Sequence, residues 1–370
     1  MAPKLTFYPL GNADCCLIEL ADDRVLIMDF AATRGDDEGD LRIDLPQALR
    51  EDLGTRDKVD VLAISHLDED HYKGISDVFS LKHAAKYQSS DRINVGELWV
   101  PAAVIVEKAP DAEEARIIQK EARYRLKKGQ GIRVFSRPES LEEWLNQQGL
   151  TSSSRAHLIT DAGHLVPGFS FACGGVEFFV HSPFAESASD GRVIVRNSAL
   201  LALHATFEVN GRQTCVFFGA DLGYEDLAGI VNVTIRHQNE HRLKYDVAKL
   251  PHHCSYLSLS PDKGTTATEP VREVGWLYQE QGQPGAILVS SSNPIPTVET
   301  NDPPHREAAN YYRDIANEKR GEFVVTMEHP SKTGPPERLI VEIGGAGASV
   351  KRRSGFVGAP VVSRPAPRAG

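Results

Sequence analysis

The run Ser65-His66-Leu67-Asp68-Glu69-Asp70-His71 places two imidazoles and the alternating carboxylates of Asp68 and Asp70 directly behind the apolar stretch Asp60 to Ser65. A turn that follows a strand can aim such alternating side chains at one or two cations. Imidazole and carboxylate together suit zinc or, with this many oxygens, manganese. A merely solvated acidic loop with incidental histidines would not need to follow a buried strand. Two further pieces share this character. Phe217-Phe218-Gly219-Ala220-Asp221 ends an apolar run in a small-residue turn and an aspartate. Leu250-Pro251-His252-His253-Cys254-Ser255 supplies two more imidazoles after another short strand. One histidine of an adjacent pair usually points away from a metal, so the choice between His252 and His253 stays open.

These residues predict two divalent metal ions, Zn or Mn, and hydrolysis as the reaction. A pair of cations activates a shared water and stabilises charge developing on a phosphoryl or carbonyl oxygen. Asp70, Asp221 and His253 are the catalytic candidates, the carboxylates to orient the water and the histidine to assist proton transfer. His181, His305 and Lys73 lie in loops that can face a cleft, whereas His204 sits inside an apolar strand and reads as a core residue. Cys254 can line the site or merely pack.

The elements that must position these groups follow from apolar periodicity. Strands are predicted at Leu5 to Pro9, Cys15 to Leu20, Arg24 to Asp29, Asp60 to Ser65, Glu97 to Pro101 and Val176 to His181. Others follow at Ser198 to Val209, Thr214 to Phe218, Val247 to Leu250, Ala286 to Ser290, Glu322 to Met327 and Arg338 to Ile343. Asn210-Gly211 is a hairpin signal. Helical spacing appears at Pro110 to Lys128 (Ala115, Ile118, Ala122, Leu126), Ser140 to Gln148, Tyr224 to Val231 and Arg306 to Lys319. Blocks of strands on either side of a helical middle predict an α/β chain of two packed mixed sheets flanked by helices. Residues 1–350 read as one hydrolase domain with a helical elaboration at about 102–170. Residues 351–370, basic and rich in Pro and Gly, read as a disordered tail.

The order of the motifs resembles the metallo-β-lactamase superfamily, over most of residues 5 to 345. A closer likeness is to the hydrolase domain of ComEC-type DNA-uptake proteins. It is carried by Gly11-Asn12-Ala13-Asp14 before the second strand, Asp68 in place of a usual histidine, Asn197-Ser198 before a strand, Gly219-Ala220-Asp221 and Leu250-Pro251-His252-His253. The resemblance implies a four-layer αββα sandwich with metals at the sheet edges. It implies that Asp29 supports the ligand loop, that His66 and Asp68 bind a first metal, and that Asp70 and His71 bind a second. Asp221 would bridge both, and His252 or His253 would complete the second site. Asn197 stands where many members supply a histidine to the first metal, and as a poorer ligand it shifts the site toward oxygen donors and manganese.

Composition bounds the partners. Hydrophobic residues make up 41% and charged residues 25%, an ordinary globular balance, and the net charge of −10 argues against a uniformly basic nucleic-acid coat. Five cysteines, Cys15 and Cys16 adjacent, do not form an evident disulfide framework. No window approaches ~18 consecutive apolar residues, so no membrane partner and a cytoplasmic location are expected. Phosphodiester hydrolysis of DNA or RNA is the preferred activity. The alternatives are a small-molecule hydrolase acting on a cyclic nucleotide, lactone or thioester, and a metal-binding regulatory partner of other proteins in a bacterial defence-type system.

Overall fold

Alternation of side chains along the strands sorts the apolar residues into three separate cores, and that sorting defines the layers. The computed structural model describes residues 2–108, 110, 112–184 and 199–352. In chain order its strands are β1 (Lys4–Phe7), β2 (Cys16–Glu19), β3 (Val25–Met28), β4 (Lys58–Ala63), β5 (Phe79–Ser80), β6 (Ile93–Pro101), β7 (Ile132–Phe135) and β8 (Ile159–Thr160). They continue as β9 (Val176–Ser182), β10 (Ala202–Val209), β11 (Arg212–Phe218), β12 (Tyr245–Lys249), β13 (Gly282–Ser290), β14 (Glu322–Val325), β15 (Leu339–Gly344) and β16 (Gly347–Val350).

One sheet runs β16-β15-β1-β2-β3-β4-β6-β7-β8, with β5 beside β6, and the other runs β14-β13-β12-β11-β10-β9. Both are mixed. The first is parallel from β3 to β8, and the second is parallel from β11 to β14. On β3, Leu26 and Met28 face the inter-sheet core with Phe178, Leu203, Val216 and Val289, while Val25 and Ile27 face the opposite way. That outer face is covered by α1 (Leu45–Leu53) and, beyond the short helices α2 (Glu69–Tyr72), α3 (Ile75–Val78) and α4 (Ala102–Val106), by α5 (Glu113–Lys128) and α6 (Glu139–Gln147). After the single turn of α7 (Ser152–Arg155), the second sheet is covered by α8 (Tyr224–Arg236), α9 (Arg272–Gln281) and α10 (Arg306–Glu318). The result is a four-layer αββα sandwich of two mixed sheets, the architecture that the resemblance implies.

Local signals account for most of these elements. Ala115, Ile118, Ala122 and Leu126 are all buried along one stripe of α5. Asn210 and Gly211 both take positive φ, 53° and 78°, and Val209 pairs with Arg212, the type I′ hairpin that this dipeptide favours. The stretch 102–170 departs from a purely helical elaboration, because Ile132-Arg133-Val134-Phe135 and Ile159-Thr160 add β7 and β8 to the first sheet. Of the basic tail, residues 353–370 lie outside the described residues, as does Asn197.

Candidate metal centre

Most of the chemically notable side chains follow strand ends on one edge of the sandwich, joined there by Asp14 ahead of β2 and by Asp70 and His71 on α2. Asp29 follows β3 and Ser65-His66 follow β4. Asp221 follows β11, Lys249 ends β12 with His252 and His253 behind it, and Ser291 follows β13. These are the carboxyl ends of parallel strands, where helix connections leave a crevice open. The two sheets are tied together there by Leu201 N, which donates to Ser65 O at 3.0 Å, and within the first sheet Asp14 N donates to Asp70 O at 3.0 Å.

The loops that carry these groups are conformationally costly. Asp29, Ala220, His252, His253 and Cys254 all have positive φ without being glycine, and His252 to Cys254 do so in succession at 48°, 52° and 65°. Each such residue costs about 1–2 kcal/mol, so the surrounding bonds must enforce the shape. Leu250 N donates to Val289 O at 2.8 Å, Ser255 N to His252 O at 2.9 Å, and His305 N to Cys254 O at 3.1 Å. His305 thus braces the double-histidine turn, its ring stacked edge-on against Tyr256 at 4.8 Å.

Ligand atoms of Asp14, His71, Asp221 and His253 all lie within 4.8 Å of one another. The two rings have their far nitrogens pinned. His71 Nδ1 lies 2.9 Å from Asp29 Oδ2, and His253 Nδ1 donates to Ser291 O at 2.7 Å. Each Nε2 therefore turns to the cluster: His71 Nε2 is 3.3 Å from Asp221 Oδ1, and His253 Nε2 is 3.5 Å from Asp221 Oδ2 and 2.9 Å from Asp70 Oδ2. Asp29 is itself held by Ser65, whose N and Oγ donate to its two oxygens at 2.7 Å each. Ser65 Oγ is also 3.0 Å from His66 Nδ1, leaving His66 Nε2 to face Asp68 Oδ2 at 3.3 Å. This pinning fixes ring orientation and tautomer, as carboxylates and carbonyls behind metal-bound imidazoles do.

Four buried atoms here, Asp14 Oδ1, His66 Nε2, His71 Nε2 and Asp221 Oδ1, have no hydrogen-bond partner. Buried polar atoms are ordinarily satisfied, and a divalent cation is what this set of nitrogens and oxygens fits. Electrostatics agree. Burial opposes charge at His71 and His253, but Asp221 outweighs it, lifting His71 well above the usual histidine range and His253 to about 10. Burial likewise opposes ionisation of Asp221, yet His253 and His71 hold its carboxyl well below the usual range. Protons on two imidazoles stand in for cationic charge.

The motif residues take different places. His71, Asp221 and His253 stand in the cluster, with Asp70 against His253 and its side chain 34% exposed. Asp68 is further out, its side chain 74% exposed, held below the usual carboxylate range by the His66 imidazole 3.3 Å away. His252 is half-buried, outside the four-residue cluster, and burial lowers its pKa. Lys73 pairs with Glu69 at 2.7 Å. His181 and His204 are buried away from the cluster, each with Nε2 donating to a backbone carbonyl at 2.8 Å, of Arg242 and Lys244. Cys254 is buried, and burial pushes its thiol up to about 12.

Two members of the site are not among the ligands that the sequence names: Asp14 enters only within the Gly11-Asn12-Ala13-Asp14 motif, and Lys249 does not enter at all. Lys249 Nζ bonds Asp14 Oδ2 and donates to Ala220 O at 3.2 Å. A signal existed: Tyr245 to Leu250 reads as a central, doubly buried strand, where a lysine requires a partner.

Beside His66 and Asp68 opens a groove of about 850 Å³, walled by Leu67, Tyr72, Val104 and Leu200 and edged by Glu69, Glu107 and Lys108. Among the described residues no helix is long and apolar enough to cross a membrane.

No protein-family model matches the chain, and no curated protein matches it in sequence. Solved structures superpose loosely. A diphosphatase of the PhnP family is 11% identical with a TM-score of 0.33, covering 92% of this chain and 98% of its own. Unliganded yeast PDE1 is 12% identical with a TM-score of 0.40, covering 88% and 97%. Tm1679, a metal-dependent hydrolase of the β-lactamase superfamily, is 9% identical with a TM-score of 0.40, covering 91% and 98%. Superpositions this loose carry no argument about activity, which must be read from the side chains.

Proposed function

We propose that the chain is a metal-dependent hydrolase of phosphodiester bonds, with a divalent ion held by His71, Asp221 and His253. The observation that carries this reading is the convergence of two imidazoles, each with Nδ1 pinned, on one buried carboxylate that retains an unpartnered oxygen. His66 and Asp68, 3.3 Å apart on the solvent side, are the candidates for a second ion. Zinc and manganese both suit this mixed set of nitrogens and oxygens.

When bound, such ions supply Lewis acidity to the attacking water and to the oxygen that gains charge. The chain's own groups do the rest. Asp70, ionised and partly exposed, accepts a proton from the water at Oδ2. Asp29 and Ser291 keep the two rings from turning. His252, a half-buried neutral imidazole, can donate a hydrogen bond to the leaving oxygen, which then takes up the proton that Asp70 accepted from the water.

A nucleic-acid substrate is supported by the sequence likeness to a DNA-uptake hydrolase domain. A second reading, hydrolysis of a small phosphodiester or other ester, is favoured by the groove. Among the described residues its edge carries Asp68, Glu69 and Glu107 against one lysine, Lys108, a surface that repels a long polyanion. Turnover of bis(p-nitrophenyl) phosphate, a cyclic nucleotide and DNA with Mn²⁺, Zn²⁺ and Mg²⁺ tests both. Cleavage of DNA supports the nuclease reading, and cleavage of small diesters alone supports the second. A metal-loaded protein inert on every diester contradicts the proposal.

A further inference from the structure

Lys249 occupies a position that an ammonium group rarely holds. It ends β12, a central strand of the second sheet, between Phe218 and Val289 on the neighbouring strands. Val247, two residues earlier, faces the inter-sheet core, so the period of two sends the lysine stem into that core as well. There it shares a cavity of about 20 Å³ with Phe7, Cys16, Met28 and Phe218. Its head group bonds Asp14 Oδ2, donates to Ala220 O at 3.2 Å and lies 3.9 Å from Asp221 Oδ1. Asp14 Oδ1, the oxygen Lys249 does not bond, has no hydrogen-bond partner, and neither has Asp221 Oδ1, which faces Lys249 and His71 without bonding either.

Four carboxylates, Asp14, Asp29, Asp70 and Asp221, meet at this edge, and Lys249 is the lysine that touches two of them. We propose that Lys249 is a built-in cation of the metal centre, a positioning residue that keeps Asp14 and Asp221 assembled when no metal is bound. The inference rests on the metal reading above. An ammonium in contact with the ligand shell repels an arriving divalent ion, so the same residue that preserves the empty site also weakens its hold on metal. By bonding the carbonyl of Ala220, whose φ is 46°, it further secures the strained turn that presents Asp221.

Removing the charge but keeping the stem separates this role from packing. In Lys249→Met, Asp14 becomes a buried carboxylate that has lost its ammonium partner and keeps only His71 Nδ1, 3.6 Å from its Oδ2. The metal-free protein should melt about 5–10 °C lower than wild type, and saturating Zn²⁺ or Mn²⁺ should raise its melting temperature more than it raises that of wild type. The double variant Asp14→Asn with Lys249→Met removes both charges. It should recover most of the lost metal-free stability and return the metal-induced rise to the wild-type value or below. It also keeps the test open if the single variant does not fold. A metal-induced rise in Lys249→Met no larger than that of wild type overturns the role of Lys249 while leaving the metal centre standing. So does a double variant less stable than the single one. No rise in any protein, wild type included, overturns both.

Discussion

His71 Nδ1 lies 2.9 Å from Asp29 Oδ2, so a buried carboxylate outside the four-residue cluster aims the ring whose other nitrogen meets Asp221. Asp29 can do this because its φ of 57° bends the chain off β3, and because Ser65 holds both its oxygens. Burial opposes its ionisation, but His71 keeps its carboxyl below the usual range.

Asp29→Asn preserves size while removing the charge that orients His71. Metal affinity is expected to fall about 10–100-fold, the usual consequence of losing a partner behind a metal-bound imidazole. Calorimetric titration of the metal-free variant measures it, and circular dichroism checks that the fold is kept. Affinity equal to wild type would mean that Asp29 serves only the Ser65 turn.

The adjacent histidines are expected to behave differently. His253→Ala removes a ring facing both Asp70 and Asp221 and should weaken metal binding by about 100-fold or more, beyond the loss of a mere orienting partner. His252→Ala should leave metal content unchanged and lower turnover, since His252 stands outside the cluster. Elemental analysis beside steady-state kinetics separates the two. The reverse pattern would exchange their roles.

Metal binding is expected to release protons. Asp221 lifts His71 well above the usual histidine range and His253 to about 10, so both rings are protonated near neutral pH without metal, and a metal ligand must be neutral. Affinity therefore rises with pH up to the folded pKa values. Calorimetry in buffers of different ionisation enthalpy counts the protons. A pH-independent affinity across the neutral range would contradict this arrangement.

Acid sensitivity has a separate source. Burial depresses His181 to about 4 and His204 to about 3, and the two rings lie 6.1 Å apart. The unfolded chain takes up these protons below about pH 6.5 while the folded chain does not, so stability falls as pH drops from there toward the folded values. The full loss is on the order of 3 kcal/mol for His181 and of 5 kcal/mol for His204. His204→Gln keeps a donor for Lys244 O and cannot titrate in this range. Its urea midpoint should therefore fall less than that of wild type between about pH 6 and pH 4. Parallel decline would place the acid sensitivity elsewhere.

The sequence revealed those parts of the fold in which one local pattern dominates. The buried stripe of α5 and the Asn210-Gly211 hairpin were plain from spacing and turn chemistry. Helix α1 was not, because Leu45-Pro46 opens it with a helix breaker that is harmless in the first turn, where Asp44 caps it. Helix α9 was hidden by Gly275 within its run. At the site, the strand-end motifs named His66, Asp70, His71, Asp221 and the histidine pair. Asp14 and Lys249 depend on two sheets meeting, a contact spanning 235 residues that no local window contains.

The proposed hydrolysis depends on a divalent ion among His71, Asp221 and His253. Anomalous diffraction at the absorption edge of zinc or manganese, from crystals grown with that metal, tests it most directly. An anomalous peak is expected about 2.0–2.2 Å from the Nε2 atoms of His71 and His253 and from an Asp221 oxygen. A metal-soaked crystal with no peak there, or with its strongest peak on other residues, would contradict it.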